Sequence, residues 1–311
     1  MAHRVRLGRS ELMVSPVCYG SWQLSPRFWG DVPTGQVASA MRRAFEVGVN
    51  FYDTADAYGN GLSETVMGEA LTGLPRDQII VATKVYHHFY DDGRRHPDLS
   101  PAWILEECDH SLRRLRMDTI DLYQLHAFDP MVHMAEVTEA LEKLRQAGKI
   151  RCYGLSNYTV EQIRWARSCG DYATLQPKYN LLTTAVEDDI LPCCAAEDMG
   201  VLVYSPLERG LLTGKYDGTE TFNDHRAKVP LFQGDRFKAV TAAVRSLKPI
   251  ADKYGLSLPQ LILAATLTHP AVHCVIVGIK TPAQIEDAAG AMGQKIDRED
   301  YFAIRNALAV R

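Results

Sequence analysis

The run N-F-Y-D-T-A-D-A-Y-G-N-G, Asn50–Gly61, carries two groups able to do proton chemistry. Asp53 closes an apolar strand-like stretch, and Tyr58 sits in the Gly-rich turn after it. Lys84 and His126 come later, and each also closes an apolar run, I-I-V-A-T-K and T-I-D-L-Y-Q-L-H. A Lys or Asp withdrawn from water needs a partner, and an Asp53–Lys84 ion pair satisfies both. The ammonium is then expected to favour the phenolate of Tyr58 and lower its pKa. On that expectation Tyr58 is a general acid working near neutral pH, and His126 a neutral donor that aligns a carbonyl oxygen. Asp56, equally conspicuous, receives no role. Taken singly these residues have ordinary readings, a structural ion pair or a hydrogen-bonded core histidine. The argument lies in their meeting at one place.

They meet if their strands are neighbours. Strands are expected at His3–Leu7 and Leu12–Val14 as a small hairpin around Gly8–Ser10, and then at Val17–Gly20. A helix over Gln36–Val47 is closed by Gly48. Strand Val49–Asp53 leads to a helix from Ser63, and strand Ile79–Lys84 to a long loop and a helix Pro101–Leu115 with Ser100 as N-cap. Strand Thr119–His126 precedes a helix at His133–Gln146, and strand Lys149–Ser156 a helix from Thr159. Strand Ala173–Gln176 is followed by a helix around Val186–Asp198, and strand Gly200–Tyr204 by an irregular stretch, Ser205–Asp235. Helices near Phe237–Tyr254 and from Leu258, a last strand His273–Val277, and helices from Pro282 and Arg298 complete the chain.

Eight strand-then-helix units in 311 residues match a (β/α)8 TIM barrel, with the N-terminal β-hairpin and extra C-terminal helices, as one domain over residues 1–311. The strands are continuous apolar runs, as expected when both faces are covered. A doubly wound sheet is the rival, but no G-x-G-x-x-G follows the first strand. In a barrel, Asp53, Tyr58, Lys84 and His126 fall at the C-terminal ends of adjacent staves, where active sites gather.

The bulk composition excludes other classes. With 46% hydrophobic and 23% charged residues and a formal net charge of -4, the chain has no basic field for nucleic acid. No apolar run has the length of a membrane span, and the start M-A-H-R-V-R-L-G-R-S lacks a signal-peptide core. The seven Cys form no C-x-x-C pair, which suggests reduced thiols and a cytoplasmic protein. His87, His88, His96, His133 and Cys193–Cys194 fit no established ligand spacing, so no metal is expected.

The constellation resembles the aldo-keto reductase superfamily over essentially the whole chain. The D-T-A-x-x-Y-G run at Asp53–Gly59 matches the family's Asp and Tyr, and Lys84 and His126 its Lys and His. G-L-S-N at Gly154–Asn157 and Gln176 match the residues that hold the nicotinamide carboxamide, and Tyr204 the aromatic that stacks on the ring. The run S-P-L-E-R-G-L-L-T-G-K-Y, with Ser205, Pro206, Leu207, Gly210 and Lys215, resembles the loop that crosses the pyrophosphate. Gly20, Ser21, Trp22 and Asp53 are implied cofactor neighbours as well. V-I-V-G-I-K-T-P-A-Q-I-E-D-A at 275–288 is read as the phosphate end. Thr281 caps a helix that begins at Pro282, leaving N–H groups and a dipole aimed at an anion, and Lys280 adds charge. By resemblance this turn and Gln284 hold the adenosine 2′-phosphate, which implies NADP(H), with NAD(H) left open, and Gly278 and Asp287 are implied cofactor neighbours. Asp287 stands where the family usually has Glu, and Ala288 where it has Asn.

Trp22, Tyr86 and Phe128 are the candidate substrate contacts, with Phe28, Trp29 and Phe89 as further walls and Ala127 widening the pocket. The resemblance implies reversible hydride transfer between nicotinamide and an aldehyde or ketone. The His, Asp and Arg of the loop Tyr86–Leu99 suit a sugar or polyol carbonyl. Two rivals stand beside this: a nucleotide-sensing subunit similar to potassium-channel β-subunits, and a Schiff-base enzyme using Lys84. The Asp53 partner disfavours the last, because a paired ammonium is a poor nucleophile.

Overall fold

The computed structural model describes residues 3–90 and 93–310. Two short antiparallel strands, β1 (Val5–Arg6) and β2 (Met13–Val14), form the expected N-terminal hairpin. The chain then alternates. β3 (Val17–Gly20) leads through a short α1 (Pro26–Trp29) to α2 (Thr34–Glu46), and β4 (Phe51–Asp53) to α3 (Leu62–Leu71). β5 (Ile80–Val85) is followed by a hairpin, β6 (His87–Phe89) with β7 (Arg95–Pro97), and by α4 (Pro101–Leu115). β8 (Ile120–Leu125) pairs with α5 (Met134–Gln146), β9 (Ile150–Ser156) with α6 (Val160–Cys169), and β10 (Thr174–Gln176) with α7 (Ile190–Ala196). β11 (Gly200–Tyr204) opens the irregular stretch, which ends in α8 (Gly234–Ser246), α9 (Lys248–Lys253) and α10 (Leu258–Leu267). β12 (Cys274–Gly278), α11 (Pro282–Ala289) and α12 (Arg298–Leu308) finish the chain.

Eight of these strands close a parallel barrel in the order β3-β4-β5-β8-β9-β10-β11-β12 and back to β3. The expected fold is the observed one. Two local expectations fail. The loop after β5 contains a hairpin, invisible because H-H-F and R-H-P lack the alternation that marks strands. The helix expected over Phe237–Tyr254 breaks in two at Leu247, because Pro249 lacks the N–H that a continuous helix needs there.

The barrel interior is layered by the period-two rule of strands. Its lower layers are apolar: Cys18, Phe51, Ile80, Ala82, Leu122, Leu202, Cys274 and Ile276 form one buried cluster. Leu7, Leu12 and Val14 of the hairpin belong to the same cluster and close the barrel floor. Gly8 turns there with φ 54°, and a Cβ on it would lie 2.1 Å from the Gly200 nitrogen, so glycine is required. Counting upward by two from the apolar layer reaches Gly20, Asp53, Lys84, Gln124, Tyr204 and Gly278, and Ser156 and Gln176 end the two strands between. Register pairs Gly20 with Asp53, Lys84 with Gln124, Ser156 with Gln176, and Gly278 with Gly20. The top layer is therefore polar, and it is a ring. A second core lies between strands and helices, and a third joins α8, α10 and α12 to the stretch 205–232.

Candidate active site

Lys84 sits with its Nζ 2.7 Å from Oδ1 of Asp53 and 2.8 Å from the Thr54 carbonyl, both side chains almost fully buried. The other Asp53 oxygen accepts from Nε2 of Gln176 at 2.8 Å and Nε2 of Gln124 at 3.4 Å. A buried carboxylate so supplied is satisfied on both oxygens. The Tyr58 hydroxyl lies 3.5 Å from the same Nζ, and the ring of His126 stands edge-on to the Tyr58 ring, centroids 6.0 Å apart. The structure thus brings Asp53, Tyr58, Lys84 and His126 together. Gln124 was missed, although counting by two from Leu122 reaches it.

The electrostatics correct one expectation. Tyr58 is pushed up to about 12, not down: burial raises it, and Lys84 only partly offsets this because Asp53 beside it acts in the opposite sense. For Lys84, burial alone would lower the pKa, but Asp53 and Tyr58 outweigh it and the net shift is upward. His126 falls well below the usual histidine range, first through burial and then through Lys84, His87 and Arg95. At neutral pH the cluster holds a charged Lys84, a neutral phenol and a neutral imidazole.

Above it opens a cavity of about 760 Å³, within the size range of cofactor and ligand pockets. Of the residues expected at the cofactor, only Thr281 is absent from its walls. Ser156, Asn157, Gln176 and Tyr204 gather near the tetrad end. Ser156 Oγ donates to the Gln176 carbonyl at 2.9 Å, and the Tyr204 hydroxyl to Oδ1 of Asn157 at 2.9 Å. Across the cavity, Ser205, Glu208, Arg209 and Gly210 all have positive φ. Such strain gathers where a loop is shaped for a ligand. At Gly210, φ is 91° and a Cβ would come within 3.0 Å of Lys215 Nζ, so glycine lets that ammonium approach the chain.

The far end is cationic. Lys280 lies over the Trp29 ring at 4.8 Å, and Arg226 over the same ring at 5.5 Å while donating to the Tyr216 hydroxyl at 2.6 Å. Burial and Arg226 lower the pKa of Lys215, and burial, Arg226 and Lys215 that of Lys280. Asp224 pairs with Arg226, so three cations face one carboxylate. That donor set fits a dinucleotide phosphate end, as the aromatic and amide groups fit its base end. Arg226 was not foreseen, since it sits in a stretch without periodicity.

Thr281 caps α11 as expected, but the capping box is fuller. Gln284 Oε1 takes the N–H groups of Lys280 and Thr281, and Thr281 Oγ1 that of Gln284. Fewer N–H groups are left for an anion than the sequence suggested. Asp287 Oδ1 already accepts from Ser257 Oγ at 2.7 Å.

On the substrate side, Trp22, Phe28 and Trp29 line the cavity. Tyr86, Phe89 and Phe128 are not among its walls: the Tyr86 hydroxyl turns to the Phe128 carbonyl at 3.4 Å, and Phe128 packs on Tyr158 and Trp165. The hairpin β6–β7 presents His87 and Arg95 instead. Asp91 and Asp92 of this loop lie outside the described residues. The register of the hairpin also sets His88 opposite His96, with Asp98 at 3.1 Å from His88, a grouping that linear spacing could not reveal.

A family model described as "Aldo/keto reductase family" matches residues 16–309. The chain is 36% identical to aldo-keto reductase YhdN of Bacillus subtilis, covering 94% of this chain and 90% of that one. It is 31% identical to an NADH-specific methylglyoxal reductase of Escherichia coli, covering 97% of each. A putative voltage-gated potassium channel subunit beta of Schizosaccharomyces pombe is 34% identical, over 92% of this chain and 87% of that one. The structure of a glycerol dehydrogenase from Gluconobacter oxydans superposes with a TM-score of 0.91 at 33% identity, covering 99% and 95%.

Proposed function

The chain belongs to the aldo/keto reductase family of NAD(P)-dependent oxidoreductases, and on that premise we propose that it reduces an aldehyde or ketone reversibly, with NADPH, through Tyr58. The observation that carries the reading is the Tyr58 hydroxyl on the same buried ammonium as Asp53, at the closed end of the cavity.

The bound nicotinamide would supply the hydride. The protein's part is position and protons. Tyr58, protonated across the neutral range, donates its phenolic proton to the carbonyl oxygen as negative charge develops there. Lys84 then faces the phenolate it leaves, an ion that its charge favours. Asp53 keeps Lys84 charged, and Gln124 and Gln176 keep Asp53 in place. His126, neutral, contributes an N–H to the same oxygen. Ser156, Asn157, Gln176 and Tyr204 would hold the nicotinamide, and Gly20, Ser21, Trp22 and the run Ser205–Lys215 the rest of the cofactor. Lys280, Lys215 and Arg226 would meet the adenosine phosphates. That cluster supports NADP(H), while the NADH-specific relative supports keeping NAD(H) as the competitor.

A sugar- or polyol-type carbonyl is the proposed substrate class, supported by the polar rim of His87 and Arg95 and by a structural neighbour named as a glycerol dehydrogenase. Seven unpaired cysteines support a cytoplasmic site. Likeness to a relative named as a channel β-subunit supports a second reading, a nucleotide sensor with little turnover.

One experiment tests both. Turnover of a carbonyl panel is followed with NADPH and with NADH, for the wild type and for Tyr58→Phe. The variant is expected to lose roughly 10²–10⁴-fold in kcat, the worth of a general acid, with the cofactor Kd nearly unchanged. Equal loss of binding and turnover would count against Tyr58 as the acid, and cofactor binding without turnover on any substrate would favour the sensor.

A further inference from the structure

Three buried polar atoms beside Tyr58 have no hydrogen-bond partner among the described residues: Oδ2 of Asp56, Nδ1 of His87 and Nδ1 of His126. They come from three separate elements, the turn after β4, the hairpin strand β6 and the end of β8. Ligand atoms of the three residues lie within 4.8 Å of one another. Asp56 is only 1% exposed, and its Oδ1 is already taken by the Ala57 N–H at 2.5 Å, so Oδ2 is the oxygen left for a further bond. Each buried polar atom left unmade costs about 1–3 kcal/mol. Three such atoms in one spot describe a site.

We propose that Asp56 is a positioning residue for His126: with His87 it builds a hydrogen-bonding site on Nδ1 that decides which ring nitrogen carries the proton. This rests on the reading of His126 as donor to a carbonyl oxygen. His126 lines the cavity while Nδ1 is its buried nitrogen, so Nε2 is the one on the cavity side. A neutral imidazole has a single N–H. If Nε2 is to donate to the substrate, Nδ1 must be a bare acceptor, and it then needs a donor.

Asp56 is equipped to be that donor. Burial pushes its carboxyl pKa well up, and Glu107 and Glu64 push it further, against the weaker pull of the Ala57 N–H and Arg114. Arg114 already serves both of those glutamates. One guanidinium between two carboxylates leaves an excess negative charge, which holds a proton on the third. The protonated acid has an O–H to give. His87 is neutral too, pushed down to about 4 by burial and Arg95. The groups are too far apart for direct bonds and close enough for one water to bridge, with three polar partners around it. A divalent cation is a poorer occupant, because Lys84 and Arg95 already bias His126 against positive charge.

The test reads the proton directly. Imidazole nitrogens of the full chain are labelled with ¹⁵N, and His126 is assigned from its absence in His126→Asn. The Nε2–H tautomer is expected in the wild type and in Asp56→Asn, whose amide N–H replaces the acid. In Asp56→Leu the tautomers should mix, and kcat should fall on the order of tenfold, a fraction of a general acid's worth, with the NADPH Kd unchanged. Asp56→Ala replaces Asp56→Leu if the latter does not fold. An Nδ1–H tautomer in the wild type, or a tautomer unaltered by Asp56→Leu and Asp56→Ala, overturns the proposal. So does stoichiometric Zn²⁺ binding that Asp56→Asn abolishes, which would make this a metal site. The spectrum needs no turnover, so an inactive protein sinks the reductase reading without touching this result. A wrong tautomer sinks the positioning role even in an active enzyme.

Discussion

Asp53 and Asp56 are three residues apart, both buried, and in opposite electrical states. Asp53 ends a strand and is met by a cation and two amides that donate to it. Asp56 lies in the turn, with one oxygen accepting from the Ala57 N–H, the other without a partner among the described residues, and two glutamates acting on it. Both carboxylates are buried, so the difference lies in their neighbours. Where a cation is supplied, charge survives and can tune a phenol. Where only other acids are near, the proton stays and the carboxyl becomes a donor. Two copies of one residue type, three positions apart, thus give a charged support and a neutral one.

The largest expected effect comes from removing the cation on the first side. Lys84→Met leaves Asp53 buried without its charge partner, a loss of about 3–5 kcal/mol of stability for a broken buried pair. Turnover should disappear with it, because Tyr58 then has no ammonium to receive its phenolate. Urea unfolding and steady-state kinetics measure the two losses separately. A variant as stable as the wild type would mean that Asp53 does not depend on its cation, and the contrast with Asp56 would collapse.

Arg114→Met makes the parallel change on the other side. Glu64 and Glu107 lose their shared guanidinium, and a loss of roughly 2–3 kcal/mol is expected, below the full cost of a broken pair, because Arg114 is partly exposed and the Thr83 hydroxyl still donates to Glu64. Turnover should change little, since Asp56 is held still more firmly in its neutral form. If kcat instead falls as far as in Lys84→Met, the two clusters act as one electrostatic unit.

These contrasts mark what was legible in the sequence. Strand ends were readable because apolar runs stop at charged or aromatic residues, and Asp53, Lys84 and His126 were found that way. Helix starts were readable from caps: Ser100, Thr159 and Thr281 each accept from the N–H three residues on. The hairpin of β6 and β7 was not, for its His, Phe and Arg show no period. Arg95 reaches the cavity on that hairpin and Arg226 by long-range folding of an irregular segment, and neither has a local signal. The sign of the Tyr58 shift was misjudged for a different reason. Pairing is visible as residue types, but desolvation depends on how completely the site is enclosed, and that is a property of the folded barrel.

The smallest effect distinguishes the two aspartates most cleanly, through pH. In the folded chain the Asp56 carboxyl is raised above its ordinary 3.8, whereas the unfolded chain titrates near that value. Above about pH 4 the unfolded state therefore releases a proton that the folded state keeps. Unfolding is favoured increasingly as pH rises from there toward the folded pKa, so this group's contribution to stability falls over that window. Asp56→Asn has nothing to titrate and escapes the penalty. The Tm of the variant, measured against the wild type from pH 4 to pH 7, should move in the variant's favour as pH rises, by about 2 °C per pH unit below the folded pKa. An ionised Asp56 would leave the difference flat above about pH 5, because folded and unfolded chains would then bind no proton there, and β4 and its turn would hold two charged aspartates rather than one.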